Sequence, residues 1–136
     1  MPGEYTAKQL QSQAEHVVAS IVNNASFNCL ATKMLVTSAG WGQRDEFLGI
    51  VEKLLKAVPP RFAYYPGARE RFEKATGKSA PDSADGSLPW TLLKNTSLED
   101  SPHLYCEESF VCVCAETMLP ESIDVDFLST AVDFVN

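Results

Sequence analysis

The chain has 136 residues, 45% of them hydrophobic and 21% charged, which predicts a single globular domain spanning residues 1–136. Its net charge of -7, with only eleven Lys and Arg residues, disfavours a nucleic-acid binder, because such proteins present clustered basic surfaces. No apolar run reaches the ~18 residues of a membrane span, and the N-terminus lacks the basic-then-apolar pattern of a signal peptide, so we expect a cytoplasmic protein without membrane contact.

The first half of the chain predicts a helix, a strand and a second helix. Apolar residues recur every three or four positions over residues 6–22, which predicts an amphipathic helix. The apolar run at residues 30–37 predicts a strand that ends at a turn of small residues, and a second apolar stripe predicts a helix over residues 45–58. Acidic residues in the first turn of that helix, and Pro59 and Pro60 directly after it, are typical helix boundaries.

The second half continues this alternation. Residues 61–67 are too aromatic for a solvated linker, and we expect them to pack over the core as an ordered connection. A short charged helix over residues 68–76 is predicted to end at Gly77, followed by a loop at residues 78–86. Strands are predicted at residues 90–93 and 110–115, the latter apolar on both faces like a covered parallel strand, and a last helix at residues 124–136.

The alternation of helices and strands predicts the α/β class, as a three-layer fold with a mostly parallel sheet flanked by helices. A G-x-G-x-x-G dinucleotide fingerprint is absent, because Gly40 and Gly42 are followed by Asp45 where the third glycine would stand. We therefore expect this chain to bind no cofactor by itself.

The cysteine pattern predicts four reduced thiols and no metal site. Cys112 and Cys114 stand two apart on a predicted strand, so we expect both to point to one face as core residues, with no disulfide between them. There is no C-x-x-C pair, and His16 and His103 each lack a second ligand nearby in the sequence. Cys106 has no role that the sequence assigns.

The fourth cysteine stands where a nucleophile could act. Cys29 follows the segment N-A-S-F-N at residues 24–28, between the first helix and the first strand. A thiolate is intrinsically nucleophilic, and a helix-to-strand turn can present it at the open end of a sheet. The same residue could instead be a buried small hydrophobe, because free cysteines are often buried.

Several motifs, in this order, resemble the catalytic domain of NAD(P)-dependent aldehyde dehydrogenases. They are N-A-S-F-N-C at residues 24–29, D-E-F-L at 45–48, P-W-T-L-L at 89–93, E-E-S-F at 107–110 and A-V-D-F-V-N at 131–136. The resemblance covers nearly the whole chain and implies the three-layer fold of that domain. It also implies a truncated or stand-alone fragment, because the family's cofactor-binding domain, general-base glutamate and oxyanion asparagine lie upstream of the cysteine segment.

The resemblance implies roles for four residues. The family's segment N-x-G-Q-x-C matches Asn24 and Cys29, so Cys29 looks like the catalytic thiol, although the glycine and glutamine are replaced. The family's segment E-E-x-F-G-P matches Glu108, in the place of the glutamate that contacts the nicotinamide ribose, and Phe110, in the place of the phenylalanine that lines the nicotinamide site. Valine and cysteine replace the glycine and proline of that segment. NAD(P) is the cofactor that the resemblance implies, bound by a separate domain.

Three functions follow as expectations. The first is an aldehyde dehydrogenase-like catalytic fragment that needs a separate cofactor-binding domain to oxidise aldehydes. The second is a non-catalytic module that forms a homo-oligomer or binds a partner through open sheet edges. The third is a residual esterase activity of Cys29, which requires a nearby base such as His16, Glu107 or Glu108.

The other site residues also have purely structural interpretations. Asn24 could end the first helix, because asparagine tolerates the left-handed conformation found there. Glu108 could be a solvated residue at the entrance of a strand, and Phe110 could belong to the core.

Overall fold

The computed structural model describes residues 3–120 and 126–136, and those ranges contain five α-helices, one 3-10 helix (Asn23–Ser26) and five strands. The helices are α1 (Ala7–Val22), α2 (Arg44–Ala57), α3 (Ala68–Thr76), α4 (His103–Cys106) and α5 (Phe127–Val135). The strands are β1 (Met34–Ser38), β2 (Arg61–Phe62), β3 (Ser87–Leu88), β4 (Thr91–Leu93) and β5 (Val113–Leu119). No helix within the described ranges is long and apolar enough to cross a lipid bilayer.

The main sheet has three parallel strands in the order β1-β5-β4. Met34 of β1 lies opposite Ala115 of the central strand, and Thr91 of β4 lies opposite Val113. Strands β2 and β3 form a separate two-stranded antiparallel pair. The sheet confirms the prediction of an α/β fold with parallel strands.

Helices cover both faces of this sheet. One buried cluster joins α1 and α2 to the sheet through Cys114, and a second cluster joins α3 and the turn after α1 to the other face through Val113. Burying apolar side chains on both faces is what makes a parallel sheet stable. The flanked sheet that the sequence predicted is therefore present.

The ends of the helices follow from their sequences. Thr6 and Gln9 form a capping box at the start of α1, each side chain binding the other's backbone N–H. Gly77 ends α3 at the predicted position, in the left-handed conformation with φ 66°. Asp126 caps α5 by accepting hydrogen bonds from two backbone N–H groups, while the predicted start of this helix at residue 124 lies outside the described residues.

Three sequence predictions need correction. Strand β1 begins at Met34 and not at residue 30, because a turn closed by the hydrogen bond from the Ala31 N–H to the Asn28 carbonyl lies before it. Strand β5 begins at Val113, so Phe110 precedes it with a positive φ of 42°. Cys112 also precedes β5 and packs in the cluster under α3, whereas Cys114 packs under α1 and α2, so the two thiols do not share a face.

Candidate functional site

The turn between α1 and β1 has an unusual backbone. Asn24, Ala25 and Ser26 are consecutive residues with positive φ angles of 48°, 54° and 68°. Residues other than glycine rarely adopt this conformation, which costs on the order of 1–3 kcal/mol each when the residue is held there. Three in succession require strong contacts from the surrounding structure.

Lys33 supplies part of that support. Its Nζ donates hydrogen bonds to the carbonyl oxygen and the hydroxyl of Ser26, both at 2.7 Å, and to the carbonyl oxygen of Val111 at 2.9 Å. Burial lowers the pKa of Lys33 to about 8. The lysine therefore ties the turn to the segment that enters the central strand.

Two asparagines complete the turn. The Nδ2 of Asn24 donates to the carbonyl of Phe27 at 3.0 Å. Asn28 bridges the turn, since its Nδ2 donates to the carbonyl of Asn23 and its Oδ1 accepts from the N–H of Leu30. As placed, the Asn24 side chain stabilises the left-handed turn, which agrees with its structural interpretation. Its catalytic role stays a prediction.

Cys29 lies at the exposed end of this braced turn. Its thiol is free and exposed, and neither the thiol nor the backbone N–H of Cys29 makes a hydrogen bond within residues 3–120 and 126–136. His16 is exposed on α1, and within the described residues neither it nor any other base is hydrogen-bonded to the Cys29 thiol. The turn thus offers an open thiol and an uncommitted N–H donor on the same residue.

Phe110 belongs to an aromatic cluster that connects this turn to the rest of the molecule. Its ring centroid lies 6.2 Å from that of Phe27 and 4.8 Å from that of Tyr65. Tyr64 and Tyr65 pack on Phe27 at 4.9 and 5.7 Å, although both tyrosines stay partly exposed. Tyr64 and Tyr65 therefore pack against the Cys29 turn through Phe27, a position that sequence alone did not assign to this segment.

Glu108 lies on a different feature. It lines a cavity of about 40 Å³ with Arg71, His103 and Ser109, and Cys29 is not among the residues of that cavity. Ligand pockets for molecules of cofactor size are typically about 300–1,000 Å³. Glu108 therefore lies beside a cavity too small for a whole cofactor, and Phe110 lies inside the aromatic cluster; their cofactor-binding roles stay predictions.

A buried ion pair that was not predicted from the sequence lies toward the carboxyl end of the sheet. Glu116 is fully buried on β5, and its carboxylate accepts hydrogen bonds from Arg44 at 2.7 and 3.0 Å, from Thr37 Oγ1 and from the N–H of Asn95. Burial raises the pKa of Glu116, but these hydrogen bonds outweigh it and hold that pKa below its usual range. A lone acidic residue inside the apolar run of β5 was the sequence signal that could have revealed it.

The described residues contain no group of three His, Cys, Asp or Glu side chains that could hold a metal ion. Comparison with known proteins found no protein-family model that matches the chain and no matching curated protein.

Proposed function

We propose that this chain is an aldehyde dehydrogenase-like catalytic fragment in which Cys29 is the nucleophile. The observation that carries the proposal is the exposed Cys29 thiol, with its own N–H uncommitted, on a turn braced by Lys33 and Asn28. A nucleophile and an oxyanion donor must both be accessible and held in place. The order of motifs along the chain agrees with this assignment.

The chemistry of the fragment is the attack step. The Cys29 thiolate forms a bond to the carbonyl carbon of an aldehyde or an activated ester, and the carbonyl π electrons move to oxygen. The Cys29 N–H donates a hydrogen bond to the resulting oxyanion. With an ester, the oxyanion collapses, the alkoxide leaves and a thioester remains on Cys29. Oxidation of an aldehyde adduct needs a hydride acceptor, which a separate cofactor-binding domain would supply.

Covalent trapping tests this proposal. The protein is incubated with p-nitrophenyl acetate, which carries a good leaving group, and acetylation is located by mass spectrometry of the intact chain and its peptides. Cys106 is the matched control, because it is also a free and exposed thiol. We expect acetylation at Cys29 and its loss in Cys29→Ala but not in Cys106→Ala. Acetylation spread equally over both thiols, or absent, would contradict the proposal.

A second function, a self-associating or partner-binding module, is favoured by a separate observation. Within the described residues, β1 and β4 each have a neighbour on one side only. Helix α5 also exposes 69% of Leu128, 45% of Val132 and 67% of Val135 on one stripe. Open edges and exposed apolar stripes are typical of surfaces that other chains cover.

Molecular mass in solution tests this second function. Light scattering at several protein concentrations is expected to give a dimer mass, and Leu128→Glu together with Val132→Glu is expected to give a monomer. A monomer at every concentration in the unmodified protein would remove support for self-association.

A further inference from the structure

The small cavity that Glu108 lines has polar atoms without partners. Within the described residues, three buried side-chain atoms make no hydrogen bond: Arg71 Nη2, His103 Nε2 and Ser109 Oγ. All three residues line this same cavity, between α3, α4 and the segment that enters β5. A buried polar atom left without a partner costs about 1–3 kcal/mol, so native structures rarely leave one, and three at one cavity indicate that something polar fills it.

The other nitrogens of the Arg71 guanidinium are held by hydrogen bonds, which fixes the position of Nη2 at the cavity. Its Nε donates to the carbonyl of Phe110 at 3.3 Å, its Nη1 donates to the carbonyl of Pro66 at 2.9 Å, and its guanidinium lies 5.4 Å from the ring centroid of Tyr65. These contacts hold the guanidinium plane in place. Nη2 is therefore a pre-positioned charged donor at the wall of the cavity.

The charged side chains on the cavity lining are Arg71, Lys74, Glu107 and Glu108. Arg71 forms no ion pair within residues 3–120 and 126–136. Lys74 is already paired with Glu107 at 2.6 Å, so these two charges offset each other. Glu108 is the remaining negative charge on the lining, and it is exposed at the rim.

We propose that this cavity binds one oxyanion group, either a carboxylate or a phosphate, through Arg71 Nη2, His103 Nε2 and Ser109 Oγ. A guanidinium, an imidazole N–H and a hydroxyl are all donors to such oxygens. The cavity of about 40 Å³ exceeds the ~10–15 Å³ that one water needs, but it is too small for more than the anionic group of a ligand. The site contains neither Cys29 nor any residue of its turn, so the test of anion binding is independent of the test of the proposed nucleophile.

The two histidines of the chain allow a direct measurement. His103 lines the cavity, whereas His16 is exposed on α1, so His16 is an internal reference. The probes are sodium acetate and sodium phosphate, each compared with sodium chloride at the same pH and ionic strength. We expect a saturable change in the imidazole NMR signals of His103 but not of His16. Saturation by acetate alone or by phosphate alone identifies which oxyanion the cavity takes.

Two variants complete the test. Ser109→Ala removes one donor, and we expect it to weaken anion binding about tenfold, while Ser79→Ala at an exposed serine outside the cavity leaves it unchanged. Glu108→Gln removes the rim charge, and we expect tighter binding. Equal responses to chloride and to the oxyanions, or full affinity in Ser109→Ala, would overturn the proposal and leave the cavity as a site for water.

Discussion

Replacing Lys33 by methionine is expected to destabilise the protein by about 2 kcal/mol. The change keeps the length of the side chain but removes three hydrogen bonds from a charged donor. All three end on the buried residues Ser26 and Val111. The two Ser26 oxygens would lose this donor at about 1–3 kcal/mol each, whereas the Val111 carbonyl still accepts a hydrogen bond from the N–H of Val113 at 2.7 Å. The methionine avoids the cost of burying an ammonium group, which offsets part of that loss.

Urea unfolding measures this effect. With a slope of about 2 kcal/mol per molar urea, a loss of about 2 kcal/mol moves the midpoint by about 1 M. The control is Lys53→Met, because Lys53 is exposed on α2. The free energy of unfolding of this control should change by less than about 0.5 kcal/mol. Equal midpoints for the two variants would refute the idea that Lys33 braces the turn.

The difference in unfolding free energy between the unmodified protein and Lys33→Met should change with pH in a direction that the pKa of Lys33 determines. The folded pKa of Lys33 is about 8, below its unfolded value of about 10.4. Between these values the unfolded chain holds a proton that the folded chain has released, so the free energy of unfolding rises with pH in that window. The difference between the unmodified protein and Lys33→Met should therefore grow from pH 8 to pH 10. A constant difference would mean that Lys33 titrates normally.

Further predictions concern the core and the helix ends. Glu116→Gln breaks a buried ion pair and should cost about 3–5 kcal/mol in urea unfolding. The pKa of Glu116 is lowered in the folded protein, so the stability that its carboxylate contributes is present above pH ~4.3 and is lost as the pH falls through the folded pKa. The difference in unfolding free energy between Glu116→Gln and the unmodified protein should therefore narrow in acid. A difference that does not change with pH would contradict the lowered pKa. Gly77→Ala should lower the free energy of unfolding by about 1–2 kcal/mol, because φ at Gly77 is 66°. Gly49→Ala, in the middle of α2 where a Cβ meets open space, should raise it by up to about 1 kcal/mol. Equal shifts of the two variants in thermal denaturation would argue against backbone strain at Gly77. Burial raises the pKa of Cys112 and Cys114 to about 12, so a thiol reagent at pH 8 should modify two cysteines in the folded protein and four in urea; four fast thiols in the folded protein would be inconsistent with this burial.

The sequence predicted the helix boundaries better than the boundaries of β1 and β5. The apolar periods of α1 and α2 and the glycine that ends α3 are local signals, and local signals determine where a helix begins and ends. The three parallel strands were also predicted from the sequence; the predicted bounds of β4 are right to within one residue, whereas those of β1 and β5 are wrong by up to four residues. The apolar run that includes Lys33 is typical of a continuous strand, but Asn28 accepts hydrogen bonds from the N–H groups of Leu30 and Ala31, so the start of the run is a turn.

The residues that shape the candidate site interact over long sequence distances. Lys33 binds Val111, and Arg71 binds Phe110, partners that no local pattern connects. A lysine inside an apolar run is nevertheless a readable signal, because a charge at a position expected to be buried requires partners. The short helix α4 left no such signal, since it has only four residues and no buried side chain.

The most direct test of the central claim is the alkylation rate of Cys29 relative to Cys106 in the folded protein. Both thiols are free and exposed, so iodoacetamide at pH 7 followed by peptide mass spectrometry gives both rates in one sample. The proposed nucleophile predicts that Cys29 reacts about tenfold faster than Cys106, and that the two rates become equal in urea. Equal rates in the folded protein would contradict a catalytic role for Cys29.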